Sequence, residues 1–289
     1  AGKTWLAKRL AFALMGYQRQ QQLRAVQFHT NVCYEDFVRG WRPTAEGKLL
    51  IRDGVLLQLA QHALRYPDLP FVLLIEEINR GQPAQIFGEC LTLLEASKRT
   101  PSEALLLNYP DADGQLRPFY LPDNLYVIGT MNTADRSIAL LDTALRRRFN
   151  FREMAPDATL LSEVEGIDLK AVLTTINQRI EYLIGREYRI GHAFFINCES
   201  RAQVEDAVRN KVIPLLQEYF FEDWSRIAAV LGDGFMQEAQ ILPPPGIEGE
   251  PLSSWSVRAP FRNDAFDRLI GKTRTLNVTD LEVAGESKE

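Results

Sequence analysis

Five consecutive apolar residues, Phe71-Val72-Leu73-Leu74-Ile75, run without interruption into two adjacent carboxylates, Glu76 and Glu77. Pro67 and Pro70 bound the run upstream, so it predicts a short strand covered on both faces, the kind found in a parallel α/β sheet. The acids then fall at the C-terminal edge of that sheet, where open α/β sheets bind their ligands. Two carboxylates there suit a hydrated Mg²⁺ and a water that must be polarised. A buried strand running into a solvated acidic loop explains this stretch equally well, so the decision rests on the rest of the chain.

With 289 residues the chain can bury a sizeable core in one large or two modest domains. Its 33 basic and 38 acidic residues leave a net charge of -5, which argues against a chain-wide nucleic-acid surface. Cys33, Cys90 and Cys198 are odd in number and far apart, so neither a disulfide framework nor a zinc knuckle is indicated, and a reducing, cytoplasmic setting is expected. No apolar run approaches the roughly 20 residues of a membrane span.

Ala1-Gly2-Lys3-Thr4 matches the end of the pattern G-x-x-x-x-G-K-[ST]. The first Gly, the three residues after it and the strand that should precede them are not in the sequence, so a truncated P-loop, with weak nucleotide affinity by itself, is expected. In a whole loop backbone N–H groups cradle phosphate oxygens, the Lys adds a point charge and the Thr hydroxyl binds Mg²⁺. Trp5 to Met15 reads as the helix that follows, with Leu6, Leu10, Ala13 and Leu14 as its apolar stripe.

Ala25 to His29 predicts a second strand, with His29 a strand-end residue because no further ligand lies at metal spacing. Thr30 to Pro43 mixes aromatics with charges and reads as a loop with anchoring rings, or as one that meets a partner or a ring pore. Val55 to Arg65 and Ala84 to Glu95 predict helices, the latter with Ile86, Phe87, Leu91 and Leu94 inward. Ser97 to Pro118, with Asp111-Ala112-Asp113-Gly114, predicts a hairpin insertion. Leu125 to Thr130 is a further buried strand that runs into Met131-Asn132. Asn132 there can hold an attacking water near a γ-phosphate or cap the next helix as an Asx turn, and the two roles are compatible. Arg146-Arg147-Arg148 ends a helix before a predicted strand at Phe149-Asn150-Phe151. A basic C-terminus suits the helix dipole, and an arginine offered to a neighbouring subunit's nucleotide would use the surplus.

Beyond Ala155-Pro156-Asp157 helical periodicity takes over: Leu169 to Ile184, Val204 to Phe221 with Pro214 kinking or splitting it, and Trp224 to Leu231. Arg189 and His192 read as structural. The tail from Gln237, with Pro243-Pro244-Pro245, reads as loosely ordered or as short strands, and Gly285 to Glu289 as a disordered end.

The order of these elements resembles the AAA+ ATPase family: G-K-T, then a Walker B-like strand with Glu-Glu-Ile-Asn-Arg, Met-Asn-Thr-Ala-Asp-Arg-Ser, Leu-Arg-Arg-Arg-Phe and a helical segment. More narrowly the chain resembles the motor subunits of McrB-type restriction systems. Phe28-His29, Tyr34-Glu35-Asp36-Phe37, Gly129 to Ser137, Ile190-Gly191-His192 and Pro214 to Phe220 carry that match, over residues 1 to about 232.

The resemblance implies a P-loop AAA+ α/β core over residues 1–155, a helical lid over 156–235 and a partly disordered extension over 236–289. It implies a hexameric ring that hydrolyses GTP or ATP with Mg²⁺. Gly2, Lys3 and Thr4 would bind phosphate, Asp135 and Arg136 would also face the nucleotide, and Thr4 and Glu76 would hold the metal. Glu77 would activate water, Asn132 would act as sensor, and Arg147 or Arg148 would reach across the subunit interface. A McrC-type endonuclease partner and a separate domain that reads methylated DNA are implied as well. The family carries Asp-Glu where this chain has Glu76-Glu77, so retained but weakened Mg²⁺ binding is expected.

Overall fold

In the computed structural model the described residues are 2–16, 20–132 and 143–272. Their element order begins α1 (Lys3–Met15), β1 (Leu23–Gln27), α2 (Tyr34–Phe37), β2 (Arg39–Pro43), β3 (Leu49–Asp53), α3 (Val55–Arg65), β4 (Phe71–Glu76) and α4 (Pro83–Phe87). It continues with β5 (Leu105–Leu106), β6 (Pro118–Phe119), β7 (Leu125–Gly129) and α5 (Thr143–Arg148). These form one compact unit, Gly2–Glu153; a second takes in the chain from Met154.

β4 is the middle strand of a parallel sheet ordered β1-β4-β7. Each of Phe71 to Ile75 is buried, as an uninterrupted apolar run between two covering layers must be. The register sets Gln27 opposite Glu76 and Gly129 opposite Ile75, so the strands end together at one edge. Past that edge backbone bonds continue: Phe28 N donates to Glu76 O at 2.9 Å, Thr130 N to Ile75 O at 2.8 Å and Ile78 N to Thr130 O at 2.9 Å. One face is packed by Leu56, Leu59, Ala60 and Ala63 of α3 with Phe28, Phe37 and Phe87.

α1 covers Val72 from the other face, but not with the expected stripe. Its buried residues are Ala7, Ala11 and Met15, whereas Leu6, Leu10 and Leu14 are 40%, 49% and 39% exposed and Ala13 is also at the surface. Both stripes repeat every four residues, one step apart around the helix, so periodicity could not choose between them. The stripe with two alanines wins because Ala7 and Ala11 let the helix backbone approach the sheet, with Met15 filling the space near Val72, Leu23 and Ile128.

The helix expected over Ala84 to Glu95 is α4 followed by a 3-10 stretch, Gly88–Leu94. Gly88 sits at φ +52, and a Cβ there would lie 2.7 Å from the Tyr34 ring, so the chain turns where only glycine fits. Ile86, Phe87, Leu91 and Leu94 are nonetheless buried. The predicted insertion forms as β5 paired with β6, its turn closed by Gly114 N donating to Asp111 O at 2.9 Å. Arg39 ion-pairs with Asp53 at 2.5 Å and with Asp111, which ties the β2–β3 hairpin to that insertion. The aromatics of the Thr30 to Pro43 segment act as anchors: Phe37 is buried and Tyr34 donates to Glu89 at 2.5 Å. Phe149-Asn150-Phe151 does not form the expected strand; Phe149 packs on the core and Phe151 faces solvent.

The second unit opens with the two-residue strands β8 (Glu163–Val164) and β9 (Ile167–Asp168), joined through Glu165 at φ 45 and Gly166 at φ 81. Two successive positive φ values define the tight hairpin turn that matches strand twist. α6 (Leu169–Ile184) follows, capped by Asp168, whose carboxylate accepts from Ala171 N at 2.9 Å. The predicted helix around Pro214 is α7 (Arg201–Ala207), a π-helical turn over Val208–Val212 and α8 (Ile213–Tyr219). Proline cannot donate to the residue four back and its ring crowds that carbonyl, so the widened turn absorbs it without a break.

α9 (Trp224–Leu231), β10 (Met236–Ile241), β11 (Leu252–Val257) and α10 (Ala265–Leu269) complete the unit. The tail is thus an antiparallel hairpin and a helix through residue 272. Arg179 joins it to the helices by donating to Val230 O at 2.8 Å and Leu269 O at 3.0 Å. Buried Asn177 clasps Ile190 twice, donating to its carbonyl at 3.0 Å and accepting from its N–H at 2.7 Å. Arg189 pairs with Glu181 at 3.7 Å, and His192 Nδ1 accepts from Asp157 N at 3.1 Å, partners that suit structural roles.

Candidate nucleotide-binding site

Three elements deliver the candidate residues to the C-terminal edge of the sheet. α1 begins at Lys3 behind Gly2, which takes the left-handed conformation at φ 76. The first turn carries no acidic residue and no side chain caps it, so the backbone donors of that turn and the positive end of the helix dipole remain for an anion. Gly2 has no atom within 4 Å of where a Cβ would stand, so its φ, not crowding, asks for glycine.

Lys3 Nζ donates a long hydrogen bond, 3.4 Å, to Asn132 Oδ1. Burial lowers the Lys3 pKa from its ordinary value, and the nearby charge of Glu77 opposes that shift. Lys3 and Asn132, which lie far apart in sequence, therefore meet in space, within reach of the Glu77 charge. Thr4 is half-buried on the same helical turn. Glu76 lies alongside α1, its Oε1 3.8 Å from Nζ of Lys8, one turn beyond Thr4.

Glu77 has φ 53, a conformation that non-glycine residues rarely adopt. Its backbone N–H faces Thr130 Oγ1 at 3.4 Å, and Oε2 lies 2.8 Å from Arg80 Nε as an ion pair without hydrogen-bond geometry. Asn79, in the turn after β4, donates through Nδ2 to the Asn132 carbonyl at 2.9 Å.

The arginines at the end of α5 part company. Arg147 is exposed, whereas Arg148 lies within its own unit, Nη2 2.8 Å from Glu95 Oε1 and Nη1 donating to Ala144 O at 2.8 Å. Asp135 and Arg136 lie outside the described residues. Sequence reasoning gave Asn79, Thr130, Arg80 and Lys8 no part in the site. Asn79 alone left a signal, a polar residue placed straight after the apolar Ile78 at the end of a buried strand.

The Thr4 hydroxyl and Glu76 carboxylate are hard oxygen donors of the kind Mg²⁺ takes, one or two from protein and the rest from phosphate and water. Among the described residues there is no group of three or more His, Cys, Asp or Glu that could hold a metal ion. No helix of the described residues is long and apolar enough to cross a membrane.

A parallel sheet whose C-terminal edge faces an uncapped helix N-terminus, with a lysine, paired carboxylates and an asparagine gathered there, is the architecture of an α/β protein of the P-loop kind. Residues 1–149 match the model of the AAA domain (dynein-related subfamily), and residues 168–228 match that of the McrB alpha-helical lid domain. The chain belongs to the AAA+ ATPase family, as a member of its McrB type.

Over 244 residues it is 36% identical to the type IV methyl-directed restriction enzyme EcoKMcrB subunit of Escherichia coli strain K12, covering 77% of this chain and 52% of that one. Over 188 residues it is 29% identical to the type II restriction enzyme BsuMI component YdiS of Bacillus subtilis strain 168, covering 58% of this chain and 54% of that one. The chain thus spans about half the length of the curated relatives it matches.

Proposed function

We propose that this chain is the motor part of a McrB-type, modification-dependent DNA restriction system, a ring-forming AAA+ subunit that hydrolyses GTP or ATP with Mg²⁺. The contact of Lys3 with Asn132 at the N-terminus of α1, within reach of the Glu77 charge, carries the reading. Gly2, Lys3 and Thr4 hold the phosphates, with Asp135 and Arg136 assigned to the nucleotide on the resemblance alone. Thr4 and Glu76 are the protein ligands for Mg²⁺, which when bound neutralises phosphate charge. Glu77 polarises the attacking water and Asn132 orients it against the γ-phosphate.

Of the arginines, the exposed Arg147 is the better candidate to serve a neighbouring subunit, since Arg148 is already held by Glu95 and Ala144. The ring is hexameric and cytoplasmic, with a McrC-type endonuclease as partner and DNA engaged through a separate reader domain. In this reading residues 1–155 are the core, 156–235 the lid and 236–289 an extension. One observation favours a second reading, a nucleotide-gated assembly module with little turnover: Arg80 is ion-paired with the carboxylate that would activate water.

Steady-state hydrolysis of GTP and ATP, measured side by side in the full-length protein with and without the nuclease, tests these readings. A GTP preference of tenfold or more, about 1.4 kcal/mol of discrimination, supports the restriction motor. A clear ATP preference with no response to a nuclease points to a remodelling motor, and tight binding without turnover points to the assembly module.

A further inference from the structure

Asn79 is only 8% exposed, yet it makes an incomplete set of contacts: Nδ2 donates to Asn132 O at 2.9 Å, while the buried Oδ1 has no partner among the described residues. An orphaned amide carbonyl is a poor choice for the fold, because an apolar side chain with the same branching, such as leucine, would remove an unsatisfied acceptor from the interior. The donor is what the position uses. It acts on the residue whose own side chain meets Lys3 Nζ, so one amide in the turn after β4 fixes the backbone from which Asn132 projects. The neighbouring bonds from Ile78 N to Thr130 O and from Thr130 N to Ile75 O already hold the two strand ends together up to Thr130, and the Asn79 bond extends the clamp two residues further.

We propose that Asn79 is a positioning residue for phosphoryl transfer, holding the Asn132 backbone so that the Asn132 side chain stays beside Lys3 at the sheet edge. The inference rests on the hydrolytic reading above. Its role is confined to the reacting end of the nucleotide, so losing the donor harms turnover more than binding.

The test compares wild type with Asn79→Leu and Asn79→Asp in the full-length protein, reading kcat and KM for the preferred nucleotide, binding of a fluorescent nucleotide analogue, and Tm. Both variants lose the donor, the first as an apolar, somewhat larger side chain of the same branching and the second with the shape kept. The expected result is a fall in kcat of at least tenfold in both, with KM and analogue affinity within threefold and the Asn79→Asp Tm within a few degrees of wild type. Unchanged kcat in either folded variant overturns the proposal. So does a parallel loss of Tm, KM and kcat, or failure of both variants to fold, since each marks Asn79 as merely structural. A wild-type protein that hydrolyses neither nucleotide removes the hydrolytic reading and this inference with it, an outcome distinct from active wild type with indifferent variants.

Discussion

Arg148 Nη2 lies 2.8 Å from Glu95 Oε1, and the guanidinium is only 15% exposed although it belongs to a run of three arginines at a helix end. Removing it leaves Glu95 without that cation and the Ala144 carbonyl without the guanidinium donor. Because Glu95 keeps contact with solvent, Arg148→Ala is expected to destabilise the first unit by about 1–2 kcal/mol, less than a fully buried pair would. Arg147→Ala is expected to leave Tm unchanged and to cut hydrolysis by at least tenfold. Thermal melts and turnover of the two variants check this, and the opposite pattern would exchange their roles.

Glu77→Gln removes the candidate general base while keeping its size and its backbone conformation. Hydrolysis should fall by about 10²–10⁴ with nucleotide still bound. Equal loss of binding and turnover would assign Glu77 to nucleotide affinity instead.

Lys3 offers a pH test with a defined sign. Its folded-state pKa is lowered, chiefly by burial, so above that value the unfolded chain binds more protons than the native one. Stability should therefore rise with pH between the folded value and the ordinary lysine value, and level off above it. Glu77→Gln removes the charge that holds the Lys3 pKa up and should lower it further. Trace acylation of Lys3 across pH 8 to 11, with and without Glu77→Gln, reads both effects; a Lys3 pKa above the ordinary value contradicts them.

At the paired carboxylates, Glu76 reaches along α1 as far as Lys8 at 3.8 Å. Glu76→Asp shortens that reach by one methylene and restores the residue the family carries. The Mg²⁺ concentration for half-maximal hydrolysis is expected to fall in this variant. An unchanged or higher requirement would mean that Glu76 already meets the ion well, through a coordinated water.

Gly54 tests the packing behind the sheet. A Cβ there would stand 2.4 Å from the Phe37 carbonyl carbon and 2.6 Å from Asp36 O, backbone atoms that cannot rotate away. Gly54→Ala should cost about 1–3 kcal/mol as overpacking. A melt within one degree of wild type would show that the α2–α3 junction yields freely.

What the residues declared in advance followed from how local the governing physics is. The run Phe71 to Ile75 could only be a covered strand, and the turn chemistry of Asp111 to Gly114 marked its hairpin. α1 was legible as a helix but not as to which side faces inward. Leu6, Leu10 and Leu14 form the more hydrophobic stripe, and the choice of Ala7, Ala11 and Met15 depends on how closely the helix lies against Val72. The burial of Arg148 was hidden because its partner Glu95 is distant in the chain. Asn79 sat in plain sight within Glu-Glu-Ile-Asn-Arg, but its importance lies in a bond to the carbonyl of Asn132, which no local pattern specifies.

The parallel pairing of β4 also bears on how the molecule is made. Leu23 pairs with Val72 and Phe71 with Leu125, so each ladder closes a long loop before it gains a single hydrogen bond. During synthesis β1 leaves the ribosome long before its partner exists, and β4 stays open on one side until β7 follows. The edge that gathers Lys3, Glu77 and Asn132 is therefore completed late, and an apolar strand waits unpaired in the meantime. A chain arrested before β7 should bind chaperones and aggregate, whereas one that reaches Gly129 can pair β4 on both sides.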